Sequence, residues 1–299
     1  MTAQVTMKVE GPFSLAAAAG FGFGPSTGRP FPDGDVLRLA FAADDLKHHV
    51  GAALRQNPDG SLAAEISDDA DLDAAQAQIR RILSIDADPA GWLAAGRADP
   101  VLGQVQKELP GLRPVLFHSP YEAAAWAVLS QRRHRAQATA LRRRLAEAAG
   151  VTFTLAGEQE VAFPLPAQLL DVTSFPGIEE ARMARLHGVA QAALDGRLDA
   201  AAIAATAPEV ALAALQQIKG LGPFYATLVY LRSTGVKDAA ALGEPRLASY
   251  LQHYYGLASL PDASEIARIA DPWRPFRTWG CVLFRVAGDR DGLPSERPG

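Results

Sequence analysis

The sequence predicts an α+β fold, in which a small N-terminal antiparallel β-sheet domain precedes a larger all-α domain. Two observations predict it. Short runs that alternate apolar and polar residues dominate residues 35–67, whereas apolar residues recur at helical spacing from residue 119 onward. A connector rich in proline and glycine, "LPGLRPVLFHSP" at residues 109–120, separates the two patterns. We therefore predict domains at residues 1–112 and 113–299.

Composition narrows the class of protein. Hydrophobic residues make up 48% of the 299 residues, which is enough for the cores of two ordinary domains. The formal net charge of -4 excludes a surface coated in positive charge but permits a local basic patch. Cys281 is the single cysteine, which excludes a disulfide within the chain and a cysteine zinc site, and fits a reducing cytoplasm. No apolar run reaches about 18 residues, so we expect no membrane span.

The elements of the first domain follow from local patterns. Asn57–Gly60 has strong turn chemistry between two short apolar runs and predicts a β hairpin. Residues 72–85 have apolar residues at helical spacing, with Asp69 or Asp71 placed to cap the helix. The apolar run at residues 13–24 lacks the basic start of a signal peptide, and we interpret it as a strand and a turn.

The second domain begins with a clear helix start. Ser119 and Glu122 form a capping box, with Pro120 at the first helical position. Residues 151–166 fit no single element. The predicted helices cover residues 121–131, 135–149, 178–194, 208–218, 223–233, 245–255, 264–270 and 275–287.

The stretch "IKGLGPF", residues 218–224, joins two of these helices. Ile218 and Leu221 can enter the helical core, whereas Gly220 and Gly222 allow positive φ and a close approach to a neighbour. The proline starts the next helix, so the amides of the turn and of the helix N-terminus remain free. Free amides in this arrangement bind anions, and a DNA phosphate would suit them. The alternative is an ordinary turn between helices.

Arginines are concentrated in one region of this net-negative chain. Such clustering is the electrostatic footprint of a DNA-binding face. The alternative is a solvated helix face whose arginines pair with glutamates. The cluster comprises Arg132, Arg133, Arg135, Arg142, Arg143 and Arg144.

Four motifs carry a family resemblance, and they occur along this chain in the order expected for that family. "IKGLGPFYA" resembles the hairpin of the helix-hairpin-helix base-excision DNA glycosylases, and the wider chain resembles their AlkA-like 3-methyladenine glycosylase II branch. The other motifs are "SPYEAAAWAVLSQ" at residues 119–131, the helix region 174–199 and "WRPFRTW" at residues 273–279. The resemblance covers most of residues 119–287, and AlkA-like proteins also carry a sheet domain in front. It implies a helix-hairpin-helix glycosylase domain that flips alkylated purines of the 3-methyladenine type out of double-stranded DNA and excises them hydrolytically in base-excision repair.

The resemblance also implies which residues contact DNA. The hairpin glycines and the lysine before them would face a phosphate, and the loop after the first motif would enter the DNA. Arg132 stands where relatives tend to have an apolar wedge. The implied DNA-binding residues are Lys219, Gly220, Gly222, Gln131, Arg132, Arg133 and Arg135.

Cleavage of the N-glycosidic bond requires a carboxylate beside an oxocarbenium-like sugar. The family places an aspartate at the start of the helix after the hairpin, and the corresponding residue here is Glu244. Three interpretations stay open. Glu244 is the catalytic residue, Asp238 reaches in instead, or the protein binds DNA and cleaves it weakly or not at all. A glutamate at this position also stabilises a helix N-terminus without any catalysis.

A base pocket needs aromatic faces. Phe224 stands where lyase members of the family have a lysine, so the resemblance implies hydrolysis without strand cleavage. Trp126, Tyr225 and Trp279 are further pocket candidates, or else core aromatics. Arg285 occupies a position where AlkA-like proteins commonly have another pocket aromatic.

The remaining expectations concern support and partners. Trp273 is expected to brace the helical domain, and Arg277 to hold a carboxylate, with Glu244 the first candidate. No metal site is predicted; the resemblance alone implies a monovalent cation at the hairpin and no other cofactor. We expect a monomer that acts on damaged double-stranded DNA in the cytoplasm, at the nucleoid.

Overall fold

The computed structural model describes residues 2–21, 31, 35–67, 71–241 and 243–293. Its strands are β1 (Thr2–Met7), β2 (Leu37–Ala42), β3 (His49–Gln56), β4 (Leu62–Ser67), β5 (Val151–Leu155) and β6 (Glu158–Ala162). Its helices are α1 (Leu15–Phe21), α2 (Leu72–Ile82), α3 (Pro89–Ala98), α4 (Pro100–Glu108), α5 (Pro120–Ser130), α6 (Arg135–Ala149), α7 (Pro166–Asp171), α8 (Glu180–Leu194), α9 (Ala200–Ala205), α10 (Pro208–Gln216), α11 (Pro223–Ser233), α12 (Pro245–Tyr255), α13 (Ala263–Ala270) and α14 (Arg277–Arg290).

The N-terminal part is a four-stranded antiparallel sheet with strand order β1-β4-β3-β2. The predicted hairpin joins β3 to β4, and the amide of Gly60 donates to the carbonyl of Asn57 at 2.9 Å. Apolar side chains of the sheet, such as Phe41 and Ile66, are fully buried against Ile79 of α2. The predicted fold class is therefore confirmed in this part of the chain.

One local prediction near the N-terminus is wrong. Residues 13–24 were expected to form a strand and a turn, but Leu15–Phe21 is a helix, while residues 22–24 lie outside the described residues. The hydroxyl of Ser14 accepts from the amide of Ala17 at 3.0 Å and caps this helix. Helix α2 is capped by Asp71, one of the two predicted candidates; Asp69 is not among the described residues.

The C-terminal part is helical, as predicted. Helices α6, α11 and α12 begin and end at the predicted residues, and Ser119 caps α5 by accepting from the amide of Glu122 at 3.1 Å. One β hairpin, β5–β6, occupies most of the segment that the sequence left unassigned, so this part is not purely α. No helix in the described part of the chain is long and apolar enough to cross a membrane.

Helices α3 and α4 precede the predicted boundary at residue 112 but pack with the C-terminal helices. The ring of Trp92 lies 5.7 Å from that of Phe276 and 5.4 Å from that of Trp279. The carboxylate of Asp99 accepts from the indole N–H of Trp273 at 2.7 Å. The C-terminal core thus includes residues from both sides of the boundary, whose position stays a prediction.

Candidate functional site

The hairpin between α10 and α11 has the geometry that its sequence predicts. Ile218 and Leu221 are buried in the helical core, whereas Lys219 is exposed. Gly220 has φ +106, a conformation that disfavours side chains, and Gly222 has an ordinary φ of -67 as the N-cap of α11. The expectation of positive φ therefore holds for Gly220 and is wrong for Gly222.

The N-terminus of α11 has no capping side chain. Its first helical bond runs from the amide of Ala226 to the carbonyl of Gly222 at 2.9 Å. Amides in the first turn of a helix lack intrahelical acceptors and carry a partial positive charge. This end of α11 is therefore able to bind an anion next to the exposed Lys219.

Gln131 docks the end of α5 onto the hairpin. Its amide nitrogen donates to the carbonyl of Gly220 at 2.6 Å, and its amide oxygen accepts from Arg185 at 3.3 Å. Arg182 donates to the carbonyl oxygens at the end of α5, at 2.7 Å for Val128. Sequence reasoning missed Arg182 and Arg185; their spacing of three on α8 places both on the helix face that meets this loop.

The predicted basic stretch divides into two parts. Arg132 is exposed beside Gln131 with φ +54, a strained value for a residue with a side chain. Arg133 and Arg135 line a cleft described below. The later arginines of the stretch serve the fold, as the alternative interpretation proposed: Arg142 pairs with buried Glu122, Arg143 with Glu147, and Arg144 donates to the carbonyl of Pro176.

A cleft of about 720 Å³ opens next to the hairpin, between α5, α11, α12 and α14. Three of the predicted pocket aromatics, Phe224, Tyr225 and Trp126, line it. The ring of Phe224 is half exposed and meets that of Tyr225 edge to face, with centroids 5.2 Å apart. An aromatic wall of this kind is able to stack a planar base.

Glu244 lines the same cleft and is the N-cap of α12. Its Oε2 accepts from the amide of Leu247 at 2.7 Å and lies 3.3 Å from Nε of Arg285. Its Oε1 lies 3.7 Å from Nε of Arg246. The structure thus places the first-choice carboxylate in the cleft that the aromatic residues line.

Glu244 belongs to a closed arrangement of four charges. Asp289, on α14, contacts the same two arginines, at 3.6 Å for Arg246 and 3.3 Å for Arg285. Each carboxylate therefore lies between two guanidinium groups. The prediction that Arg277 holds Glu244 is wrong, because Arg285 and Arg246 contact Glu244 instead.

Arg277 contacts Asp238, the second-choice carboxylate, with its Nε 2.6 Å from Oδ1. Arg274 reaches the other oxygen at 3.1 Å. Burial acts to raise the pKa of Asp238, but the hydrogen bond and the charge of Arg277 outweigh it and hold the pKa below its usual value. Asp238 is not among the described residues that line the cleft.

The prediction that Trp279 is a pocket residue is wrong, because Trp279 does not line the cleft. It is 3% exposed and packs against Trp92 and Phe276. The reason is helical phase: Thr278 and Arg285, seven residues apart, share the cleft face of α14, and Trp279 is turned away from that face by one residue. Trp273 is fully buried and stacks on Phe284, as its predicted bracing role requires.

Sequence reasoning also missed part of the charge in the cleft, namely Arg232, Arg246 and Asp289. Arg232, Arg246 and Arg285 line it together with Arg133 and Arg135. Helical spacing was the available signal: Arg232 follows Phe224 by eight residues on α11, so both lie near one face. Cys281 lies in the wall as well, where burial raises the pKa of its thiol to about 11, so the thiol stays protonated at neutral pH.

A monovalent cation at the hairpin would need backbone carbonyl oxygens. The carbonyl of Ile218 accepts from the amide of Leu221 at 2.9 Å, and that of Gly220 accepts from Gln131. Each of these oxygens keeps a second lone pair, so the hydrogen bonds do not decide the question, and the cation stays a prediction. No step of the chemistry below uses one.

No family model matches the chain. The 3-methyladenine DNA glycosylase from Archaeoglobus fulgidus superposes with a TM-score of 0.76 at 17% identity, over 98% of this chain and 100% of that one. The chain has the fold of the helix-hairpin-helix DNA glycosylases.

Two further comparisons agree with that fold. The alkylbase DNA glycosidase-like protein mag2 of Schizosaccharomyces pombe is 24% identical over 172 residues, which are 56% of this chain and 77% of that protein. The Clostridium acetobutylicum 8-oxoguanine glycosylase/lyase, in complex with double-stranded DNA containing cytosine opposite 8-oxoG, superposes with a TM-score of 0.65 at 12% identity, over 98% of this chain and 99% of that one. The family resemblance carried by the four motifs is thereby confirmed.

Proposed function

We propose that this protein is a monofunctional DNA N-glycosylase that hydrolytically excises alkylated purine bases, for which 3-methyladenine is the reference substrate, in base-excision repair. One observation carries the proposal: Glu244 and the aromatic residues Phe224, Tyr225 and Trp126 line one cleft, which opens beside the hairpin. The relationship to an alkylbase DNA glycosidase-like protein supports this substrate class.

The hairpin would hold the DNA backbone. The uncapped first turn of α11 and the exposed Lys219 suit a phosphate group. Exposed Arg132, next to the hairpin, is placed to fill the space that a flipped base leaves in the stack. The flipped base would then enter the cleft and stack on Phe224.

In the chemical step, the bond between C1′ of the deoxyribose and the base nitrogen breaks, and its electron pair leaves with the base. Positive charge develops on the sugar, and the Glu244 carboxylate stabilises it. Water then adds to C1′ and loses its proton, which leaves an abasic site and the free base. Residue 224 is phenylalanine rather than an amine, so the proposal includes no Schiff base and no strand cleavage.

Base release from methylated duplex DNA tests the proposal. Wild type should release free base above the buffer control, and Glu244→Gln should release it at least a hundredfold more slowly, because the neutral amide no longer stabilises the sugar cation. Two variants serve as controls: Asp238→Asn removes the rival carboxylate, and Glu147→Gln makes the same chemical change at an exposed glutamate on α6.

Three outcomes decide between the interpretations. Equal rates for wild type and Glu244→Gln would contradict the catalytic assignment, and loss of activity in Asp238→Asn alone would transfer it to Asp238. Tight binding of abasic duplex with no base release would identify a DNA-binding protein of the same fold. Light scattering behind a sizing column tests the proposed monomer, and fluorescence microscopy of a tagged chain tests the proposed location at the cytoplasmic nucleoid.

A further inference from the structure

In the described walls of the cleft, Asp289 is a second carboxylate beside Glu244, and the chemistry proposed above gives it no role. Its Oδ2 lies 3.3 Å from Nη2 of Arg285, and its Oδ1 lies 3.6 Å from Nη1 of Arg246. These are the two guanidinium groups that also contact Glu244. Glu244 with the two arginines alone would carry a net positive charge, whereas the four groups together are neutral. Asp289 therefore decides the balance of charge around Glu244.

Tyr250 holds Asp289 in this place. Its hydroxyl donates to Oδ1 of Asp289 at 2.6 Å, and its ring centroid lies 5.3 Å from the guanidinium carbon of Arg285. Burial, followed by the hydrogen bond and the charge of Asp289, raises the pKa of Tyr250, so the hydroxyl stays protonated and keeps donating at neutral pH. The ring of Tyr250 is buried, and it therefore anchors one oxygen of Asp289 to the core, although the Asp289 side chain is 51% exposed.

This balance matters because Glu244 would have to act on a positive charge. A guanidinium group beside a carboxylate opposes the attraction of that carboxylate for a developing sugar cation. Arg285 and Arg246 lie 3.3 Å and 3.7 Å from the Glu244 carboxylate, so their charges would act on any cation that approaches it. Asp289 contacts the same two groups and offsets this repulsion. Bound DNA would cover the cleft and exclude water, which strengthens each charge interaction inside it.

We propose that Asp289 is a positioning residue of the reaction: it offsets the charges of Arg246 and Arg285 and so leaves the negative charge of Glu244 available to the sugar cation. The inference rests on the proposed function, because it requires Glu244 to stabilise that cation. Asp289 acts through the two arginines and touches neither the base nor C1′. A neutral set of four charges also admits a cationic base, such as 3-methyladenine in DNA, more readily than a set with a net positive charge.

Two abasic analogues in otherwise identical duplexes measure the effect of charge at the sugar. A pyrrolidine ring carries a protonated nitrogen and mimics the sugar cation, whereas a tetrahydrofuran ring has a similar size and is neutral. Fluorescence anisotropy gives the dissociation constant of each duplex, and the ratio of the two constants reports how strongly the protein favours a positive sugar. Single-turnover base release from methylated duplex DNA is measured in parallel.

Wild type should bind the pyrrolidine duplex about tenfold more tightly than the tetrahydrofuran duplex, or more. Asp289→Asn should reduce this preference about threefold or more and slow base release about tenfold, while its affinity for the tetrahydrofuran duplex stays within about twofold of wild type. The double variant Asp289→Asn/Arg246→Gln lacks one charge of each sign, and it should recover most of the preference and most of the rate.

Asp291→Asn is the matched control. Asp291 accepts from the hydroxyl of Tyr254 at 2.7 Å and pairs with Arg290 at 2.6 Å, and it is not among the described residues that line the cleft. The change therefore removes the same charge and the same kinds of contact outside the cleft, and it should leave the preference and the rate unchanged. A ratio of two dissociation constants does not depend on how much of a variant is folded, so partial unfolding does not imitate the expected result.

An unchanged preference in Asp289→Asn would overturn the proposal. An equal loss of affinity for both duplexes would overturn it as well, because Asp289 would then only support the packing of α12 on α14. So would a double variant no better than Asp289→Asn, because restoring the balance of charge should suffice. Any of these results together with base release by wild type would refute the inference alone. Wild type that releases no base and prefers neither analogue would refute the glycosylase function, and the inference with it.

Discussion

Replacing Glu122 by glutamine should destabilise the fold by about 3 kcal/mol. Glu122 lies at the start of α5 and is 3% exposed. Its carboxylate accepts from Arg142 at 2.6 Å, from the amide of Ala42 in the sheet at 3.1 Å and contacts His118 Nδ1 at 3.2 Å. One buried carboxylate thus ties the sheet to two elements of the helical part.

The destabilisation by Glu122→Gln follows from the pKa shift and from the usual cost of breaking a buried ion pair, and the two values are similar. Burial acts to raise the pKa of Glu122, but His118, Arg142 and the amide of Ala42 outweigh it and lower the pKa from 4.5 to about 2. Each pKa unit corresponds to about 1.4 kcal/mol, so the shift corresponds to about 3 kcal/mol. Removing one partner of a buried ion pair generally costs about 3–5 kcal/mol.

The sign of the pH dependence follows from the lowered pKa. The stabilisation from Glu122 is complete above its unfolded pKa of 4.5 and is lost as pH falls toward about 2. Wild type should therefore lose stability between these values more steeply than Glu122→Gln, which has no carboxylate to protonate at this position.

Urea unfolding at pH 7 and pH 4, followed by circular dichroism, measures both effects. The control is Glu147→Gln, where the exposed pair with Arg143 is worth about 0–1 kcal/mol. A free energy of unfolding for Glu122→Gln within about 1 kcal/mol of wild type at pH 7 would refute the reasoning. An equal loss of unfolding free energy between pH 7 and pH 4 in wild type and Glu122→Gln would refute it as well.

Further predictions concern the hairpin, the catalytic position and the core. Gly220→Ala should weaken DNA binding about tenfold in an anisotropy titration, because φ is +106 and an added Cβ would lie 3.3–3.4 Å from two side chains. Gly222→Ala should change the binding little, because Gly222 has an ordinary φ and open space around it. Glu244→Asp should retain base release within about tenfold of wild type, while Glu244→Gln should not. Asp99→Asn should lower the free energy of unfolding by about 1–3 kcal/mol in urea titrations, because the buried indole N–H of Trp273 and the partly buried hydroxyl of Tyr255 lose their charged acceptor. Borohydride should trap no covalent complex with damaged DNA, because Phe224 supplies no amine.

The helical elements were predictable because their signals are local. The proline at the start of α11, and the Ser119 cap of α5, mark helix ends in the sequence itself. The hairpin was predictable for the same reason, since glycine spacing determines its turn. Helices α3 and α4 were missed because their apolar residues, such as Trp92, face a partner more than 150 residues away in the sequence.

The charge arrangement around Glu244 was not predictable from motifs. Arg277 is within the recognised "WRPFR" motif, and it was the natural candidate to hold the carboxylate. The choice between Arg277 and Arg285 depends on where α14 lies relative to α12, and this is set by core packing such as that of Trp273 on Phe284. A sequence pattern shows which residues share a helix face, but not which face meets which neighbour.

The surroundings of Glu244 show how a glutamate is held at the position where the family resemblance implies an aspartate. The position of the Glu244 carboxylate is set by the groups that contact it rather than by the length of its side chain. The amide of Leu247 holds Oε2 at 2.7 Å, and that amide is itself fixed because the Leu247 side chain is fully buried. Arg285 and Arg246 then approach at 3.3 Å and 3.7 Å. The side chain therefore folds back over the first turn of α12, which takes up the additional methylene. Under the proposed function, Oε1, which has the longer contact, is the oxygen that would face the sugar.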